Sequence, residues 1–189
     1  MSTAPSKFVS AVHGSYYEAC LRGNLFVAQA IVTAPVIYTT AAGTGGPLIW
    51  NGSGRTPGAT VNVNVLAIGW GVTTVTTVAA ALGWTGGTGQ TAAPTTTTAI
   101  DGGRNLFLGG ATSRATAYRI GTVTNAGNFL MPFGDLHTGA LTTTAGRMQW
   151  VNVDGLCMIP PDCWGSVSVS ATATTTVMQI AVVWEEIAV

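Results

Sequence analysis

The stretch GSVSVSATATTTVMQIAVVWEEIAV, residues 165–189, contains two consecutive patterns that are typical of β-strands. In residues 166–173 small apolar residues alternate with hydroxyl residues, which predicts a strand with one solvent-exposed face. Residues 177–184 are almost all apolar, which predicts a strand that is covered on both faces. Because the protein's own core covers only one of these faces, we predict that another subunit covers the second. The residues of that second face are Val177, Ala181 and Val183.

Similar alternation, bounded by turn residues, recurs along the rest of the chain. No long stretch places apolar residues at helical spacing, so the sequence predicts an all-β fold. Several short strands without crossover helices favour an antiparallel β-sandwich of jelly-roll-like topology. The predicted strands are 25–32, 36–40, 48–50, 61–70, 76–84, 105–108, 116–124, 148–153, 156–159, 166–173 and 177–185.

Two dipeptides near the end of the chain predict how its strands are connected. Asp154-Gly155 follows an alternating run and precedes another apolar run, which predicts a two-residue β-hairpin. Pro160-Pro161 cannot donate backbone hydrogen bonds to a strand ladder. We therefore predict that the chain turns a corner there and enters the opposite sheet.

The first part of the chain lacks this regular alternation. We divide the sequence into an irregular N-terminal arm, residues 1–23, and a single β-sandwich domain, residues 24–189. The arm contains Tyr16 and Tyr17, which are candidate residues of a subunit interface. Two interpretations of the arm stay open: an extended segment that reaches a neighbouring subunit, or a first strand that packs locally.

The chain carries very little charge for its length. Charged residues make up 7% of its 189 residues, against about 25% in typical soluble domains, and the formal net charge is +0. The seven basic residues are scattered, so the clusters that neutralise nucleic-acid phosphates are missing and we expect no nucleic acid as a partner. A neutral surface rich in Thr, Ser and Gly suits a subunit packed against copies of itself, although a monomer with a low-charge surface is the alternative.

Residues 56–100 contain no charge and include a stretch, residues 63–84, that is long enough to span a membrane. Their Val-rich and Thr-rich alternation is typical of strands, and we expect no membrane insertion. The N-terminus has no long apolar run after Lys7, so we predict no secretory signal. The three cysteines, Cys20, Cys157 and Cys163, are expected to be reduced, although a pairing of the last two stays open.

Few side chains suggest a chemical function. Asp135 and His137 would share one face of an extended segment, but no third ligand or nucleophile lies near them in the sequence. We therefore predict no catalytic residues, no cofactor and no metal site. Asn51-Gly52-Ser53 fits an N-glycosylation acceptor. Five of the six tryptophans lie in predicted strands, whereas Trp164 lies at the proline corner and is the candidate exposed aromatic for ligand binding.

The segments PLIWNGSG, VNVNVLAIGWG, APTTTTAID and VDGLCMIPPDCWGSVSVSATATTTVMQIAVVWEE together resemble small jelly-roll structural proteins of tailed-bacteriophage virions, of the capsid decoration or tail-associated type. The resemblance covers roughly residues 45–186 and depends on alternation and turn residues. It implies a jelly-roll subunit, commonly trimeric, that is displayed on the capsid or tail. The chain departs from this pattern at Asp162-Cys163, where a glycine usually follows the prolines.

These observations predict a non-enzymatic virion protein. The first hypothesis is a trimeric decoration or cement protein that binds the major capsid protein on the outer capsid, stabilises the shell and is assembled in the host cytoplasm. The alternative is a tail-fibre or spike head that binds host-surface glycan through residues 86–98 and Trp164. An enzyme that uses Asp135 or His137 is the third and least supported hypothesis.

Overall fold

The computed structural model describes residues 16–33, 46–55, 60–74, 79–100, 103–136, 148–171 and 176–189. Residues 1–15, the predicted strand 36–40 and His137 lie outside the described residues. One helical turn, α1 (Tyr17–Leu21), precedes the first strand, and a 3-10 turn (Ser53–Arg55) follows the second. The strands are β1 (Leu25–Thr33), β2 (Leu48–Asn51), β3 (Val61–Val72), β4 (Ala80–Gly87), β5 (Thr95–Ala99), β6 (Arg104–Asn105), β7 (Thr116–Thr122), β8 (Asn128–Leu136), β9 (Gln149–Ile159), β10 (Cys163–Val169) and β11 (Val177–Ala188).

The strands form two antiparallel sheets that pack face to face. One sheet has the order β6-β1-β11-β3-β9 and the other has the order β5-β7-β2-β10-β4-β8. Within them, β1-β11-β3-β9 and β2-β10-β4-β8 form the two four-stranded sheets of a jelly roll. Strands β5, β6 and β7 come from the chain between β4 and β8 and widen both sheets on one side. The predicted all-β, jelly-roll-like sandwich is therefore confirmed.

The core lies between the inner faces of the two sheets. Alternation places Ile68, Met178 and Trp184 inward from neighbouring strands of one sheet, and Trp84 inward from the other. The Trp184 indole stacks on Phe26 with ring centroids 6.0 Å apart. These large apolar side chains fill the space between the layers, so most of the stabilising hydrophobic burial lies here.

The corner at Pro160-Pro161 joins the two sheets, as predicted, because β9 belongs to one sheet and β10 to the other. Asp162 follows the prolines with φ of 57°, in the left-handed region that glycine adopts most easily. Aspartate tolerates this region better than most residues, which explains how the corner forms without the glycine that the resemblance leads one to expect. The Asp162 amide donates to the Asn51 carbonyl at 2.8 Å, so the corner is attached to the end of β2.

The predicted hairpin at Asp154-Gly155 is wrong, because both residues lie inside the single strand β9. Strand β3 pairs with β9 on both sides of them: Val65 pairs with Cys157, and Ala67 pairs with Asn152. Residues 153–156 therefore bulge out opposite Leu66 alone. Asp154 and Gly155 do have positive φ, 41° and 87°, as a tight turn requires. The dipeptide forms a bulge and not a hairpin, because the parts of β9 before and after it both pair with β3.

The prediction of a half-exposed strand at residues 166–173 is also wrong. Strand β10 lies between β2 and β4, and the hydroxyl residues Ser166 and Ser168 are 0% and 1% exposed. The Ser168 hydroxyl hydrogen-bonds the hydroxyl of Thr85 on β4. Alternation correctly assigned the serines and valines to opposite faces. It did not show that the outer face is also covered, because small hydroxyl residues fit both solvent and a close protein neighbour.

Candidate functional site

The structure buries Trp164, so the prediction of an exposed binding aromatic there is wrong. The side chain is 1% exposed and lies in an apolar cluster on the outer face of its sheet. Glycines leave space for its indole: a Cβ on Gly87 would lie 2.5 Å from Nε1, and one on Gly127 would lie 2.4 Å from Cη2. The other members of the cluster are Leu48, Trp50, Tyr118 and Val123.

The candidate interface residues of β11 are covered to different extents within the single chain. Ala181 is only 3% exposed, whereas Val177 and Val183 are half-buried. Val183 packs against a small cluster that Ala19 of α1 forms with Leu25 and Leu66. The chain's own N-terminal helix therefore covers part of the second face of β11, which we predicted that another subunit covers. Contact of the remaining surface with another copy stays a prediction.

The N-terminal helix is attached at the bulge of β9. The Tyr16 hydroxyl donates to Asp154 Oδ1 at 2.6 Å. Burial of the phenol, together with its hydrogen bond to Asp154 and the negative charge there, raises the pKa of Tyr16 to about 12. Residues 16–23 therefore pack locally, as a helical turn and not as a strand. Tyr17 is 39% exposed and remains a candidate contact for another subunit.

Replacing Tyr16 by phenylalanine should cost about 0.5–1 kcal/mol of folding free energy, because the partly exposed hydrogen bond to Asp154 is lost. Since the folded-state pKa of Tyr16 is raised to about 12, its contribution is complete below pH 10 and is lost as the pH rises towards 12. Urea unfolding at pH 7 and at high pH measures both effects. A stability difference between the wild-type chain and Tyr16→Phe that stays the same at both pH values would contradict this attachment.

The most distinctive surface in the described part of the chain lies on the side of the sandwich opposite β5 and β6. Strands β8 and β9 are the outermost strands of their sheets on this side, and both carry exposed apolar side chains. We call this surface the β8/β9 edge. Its main residues are Leu130 (61% exposed), Trp150 (53%), Leu156 (79%) and Met158 (49%).

Two adjoining clefts of about 360 and 320 Å³ open along the β8/β9 edge. Both are lined by Leu130 and Met158, with Trp84 of the core as a further wall. Among the described residues, none that lines either cleft is charged. Such clefts suit apolar side chains, and the unpaired backbone of an edge strand provides hydrogen-bonding groups for an extended peptide.

The described residues show little that suggests catalysis or metal binding. No group of three or more His, Cys, Asp or Glu side chains comes together in them. Asp135 is exposed on β8, and its proposed partner His137 is outside the described residues. The buried Glu186 carboxylate accepts hydrogen bonds from Ser113 Oγ at 2.5 Å and from the Arg114 amide at 2.9 Å. Glu186 thereby attaches the loop that contains Ser113 and Arg114 to β11. No sequence pattern indicated this role.

The proposed glycosylation acceptor is part of the fold. Asn51 is 0% exposed, and its Nδ2 donates to the carbonyls of Val61 at 2.8 Å and Ile159 at 2.9 Å. Its Oδ1 accepts a hydrogen bond from the Ser53 amide at 3.2 Å. A glycan on this amide would break these bonds, so Asn51 joins the two sheets at their end and is not a modification site of the folded chain.

The three cysteines are free thiols in the structure. Burial raises the pKa of the Cys157 thiol to about 11, so very little reactive thiolate exists at neutral pH. We expect alkylation of Cys157 at pH 8 to be on the order of 100-fold slower in the folded than in the unfolded chain. Peptide mapping after timed iodoacetamide treatment measures this ratio, with the partly exposed Cys20 as an internal control. Equal rates in both states would contradict the burial.

In the described part of the chain, no helix is long and apolar enough to cross a membrane. Comparisons of the chain with protein-family models, curated proteins and solved structures each found no match. The candidate site is therefore defined by its geometry alone: the β8/β9 edge of a jelly roll, with exposed apolar side chains and two clefts whose described lining carries no charge.

Proposed function

We propose that the chain is a non-enzymatic structural subunit of a bacteriophage virion, a decoration or cement protein that binds the outer capsid as an oligomer, in a trimeric arrangement. The observation that carries this proposal is the β8/β9 edge, where Leu130, Trp150, Leu156 and Met158 are all about half exposed or more. Exposed apolar side chains that cluster on one side of a molecule mark a surface for association.

The composition supports association over a free monomer. With 7% charged residues and a formal net charge of +0, the chain lacks the charge that usually keeps a soluble monomer from associating. Burying this edge against other copies removes apolar surface from water. Several copies that bind together to the major capsid protein gain avidity although each single contact is weak.

The jelly-roll topology is compatible with this function, although it does not imply it. Jelly rolls form viral capsid domains but also lectins and cupins, and one fold serves many functions. The glycan-binding alternative named residues 86–98 and Trp164, and Trp164 is 1% exposed although it lines the cleft of about 360 Å³. We therefore propose only the capsid-associated function, with assembly in the host cytoplasm and a final location on the virion.

Co-sedimentation with phage capsids stripped of their outer proteins tests this proposal. We expect the purified chain to sediment with the capsids, to saturate at a fixed copy number and to raise the temperature at which they break open. The control is the same chain with capsids that already carry their outer protein. If the chain does not bind stripped capsids but binds host cells or a glycan array, the proposal is overturned in favour of a host-recognition module.

A further inference from the structure

The bulge of β9 leaves the dipeptide Asp154-Gly155 outside the strand ladders of the described chain. Strand β3 pairs with β9 on both sides of residues 153–156 but has no register partner for them. Strand β9 is also the outermost strand of its sheet, so its other side is unpaired within the described residues. Asp154 is exposed and has φ of 41°, and Gly155 has φ of 87°. The dipeptide is therefore accessible to water and is not held by pairing with a neighbouring strand.

An aspartate that is followed by glycine can rearrange with water as the only co-reactant. The main-chain nitrogen of Gly155 and the carboxyl carbon Cγ of Asp154 are placed to close a five-membered ring. Attack of the nitrogen on Cγ forms a C–N bond, and the carboxyl hydroxyl leaves with the amide proton as water. A water molecule then opens this succinimide at the main-chain carbonyl, and the product is isoaspartate. Glycine favours the attack because it has no Cβ to shield its nitrogen or to restrict its backbone.

The fold protects a second dipeptide of this kind, Asn51-Gly52. In an unfolded chain asparagine closes the same ring faster than aspartate, because its neutral amide does not repel the attacking nitrogen as a carboxylate does. In the structure Asn51 is 0% exposed, and its Nδ2 donates to two main-chain carbonyls at 2.8 and 2.9 Å. The Asn51 amide cannot turn towards the Gly52 nitrogen without breaking these bonds. A third such dipeptide, Asp101-Gly102, lies outside the described residues.

One side chain restrains Asp154. The Tyr16 hydroxyl donates to Asp154 Oδ1 at 2.6 Å, and ring closure must displace this hydrogen bond. The same bond attaches α1, whose five residues are too few to form a stable helix alone. Its other attachment is the small apolar cluster in which Ala19 packs with Leu25 and Leu66. A chemical change at Asp154 therefore acts directly on the attachment of α1.

We propose that Asp154 isomerises spontaneously to isoaspartate in the folded chain, at a rate that the Tyr16 hydrogen bond limits, and that the product releases α1 from β11. In isoaspartate the main chain runs through the former side chain, so the carboxylate that Tyr16 binds becomes a backbone carbonyl. The small apolar cluster is then the remaining attachment of α1, and the face of β11 around Val183 becomes accessible. This inference concerns the single chain and does not rest on the proposed capsid function.

Ageing the full chain at neutral pH in water enriched in heavy oxygen tests the proposal. Tryptic peptides 23–55, 56–104 and 148–189 separate Asn51, Asp101 and Asp154, and electron-transfer fragmentation locates isoaspartate within a peptide. In the folded chain we expect isoaspartate with one heavy oxygen at Asp154 before Asn51 deamidates. The unfolded chain in urea is the control, and there Asn51 should react first. Earlier conversion of Asn51 in the folded chain, or a lack of heavy isoaspartate at Asp154, would overturn the proposal.

Two further measurements test the role of Tyr16. Tyr16→Phe should isomerise about 2- to 5-fold faster at Asp154, the factor that corresponds to one lost hydrogen bond. Tyr118→Phe, which removes a hydroxyl from a buried ring in the other sheet, is the control and should keep the wild-type rate. An unchanged rate in Tyr16→Phe would contradict the restraint. In the isomerised fraction of aged wild-type chains, amide hydrogen exchange of residues 17–21 should be faster than in the unmodified fraction, and equal exchange would contradict the release of α1.

Discussion

Replacing Trp184 by alanine should lower the free energy of unfolding by about 3–5 kcal/mol, the range measured when buried large aromatic side chains are removed. The Trp184 side chain is 0% exposed and stacks on Phe26 between the two sheets. Neighbouring backbone packs directly against the Trp184 indole, since a Cβ on Gly103 would lie 2.3 Å from Trp184 Cζ2. Removing the indole therefore leaves a cavity that the rigid sheets cannot fill.

Urea unfolding followed by circular dichroism measures this loss. The matched control is Trp150→Ala, which removes the same side chain from the β8/β9 edge, where it is 53% exposed. We expect the control, measured at a concentration low enough to keep the chains separate, to lose no more than about 1.5 kcal/mol, because its ring is half exposed in the single chain and gains less from burial. Similar losses in the two variants would mean that the core is not placed between the sheets as described.

Gly165→Ala should be the second most destabilising of these changes, at about 2–3 kcal/mol. A Cβ on Gly165 would lie 2.2 Å from Trp84 Cζ2 and 3.1 Å from Ile159 Cδ1. Trp84 is 2% exposed and packs in the core, so the added methyl must displace packed atoms. The substitution therefore tests overpacking, whereas Trp184→Ala tests a cavity.

The directly paired residue on β4 offers a matched control. Gly86 lies opposite Gly165 in the ladder, but its added Cβ would approach Leu130 Cδ1 only to 3.3 Å. Because the Leu130 side chain is 61% exposed and free to shift, Gly86→Ala should cost less than about 1 kcal/mol. Combining Gly165→Ala with Trp84→Leu should recover part of the loss, since the double variant removes the clash. Additive losses in the double variant would contradict the assigned contact.

The sequence predicted those features of the fold that depend on local alternation. Strands β1, β3 and β11 lie close to their predicted positions because each carries several apolar residues at strand spacing. The corner at Pro160-Pro161 was also predictable, since two prolines end any ladder. Strands β5 and β8 were missed. The first is nearly all threonine, and Pro132 interrupts the second, so neither shows an uninterrupted alternation.

The features that sequence reasoning missed depend on which strands become neighbours. Asp154-Gly155 would form a hairpin if the flanking runs paired with each other, but both pair with β3. Trp164 and Ser166 appeared suited to the surface, yet β10 is a central strand with both faces covered. The β8/β9 edge could not be predicted for the same reason. Leu156 and Met158 resemble core residues in sequence and are exposed only because β9 is the last strand of its sheet.

The measurement that tests the central claim most directly is the native mass of the full chain, by mass spectrometry and sedimentation equilibrium. An assembly of several copies is predicted for the wild-type chain of 19.2 kDa, with three as the expected number. Leu156→Asp should reduce the mass to that of one chain, whereas Leu108→Asp, at a residue that is even more exposed (93% against 79%) but lies beyond β6, should not. A wild-type chain that stays at 19.2 kDa at every concentration would contradict the account.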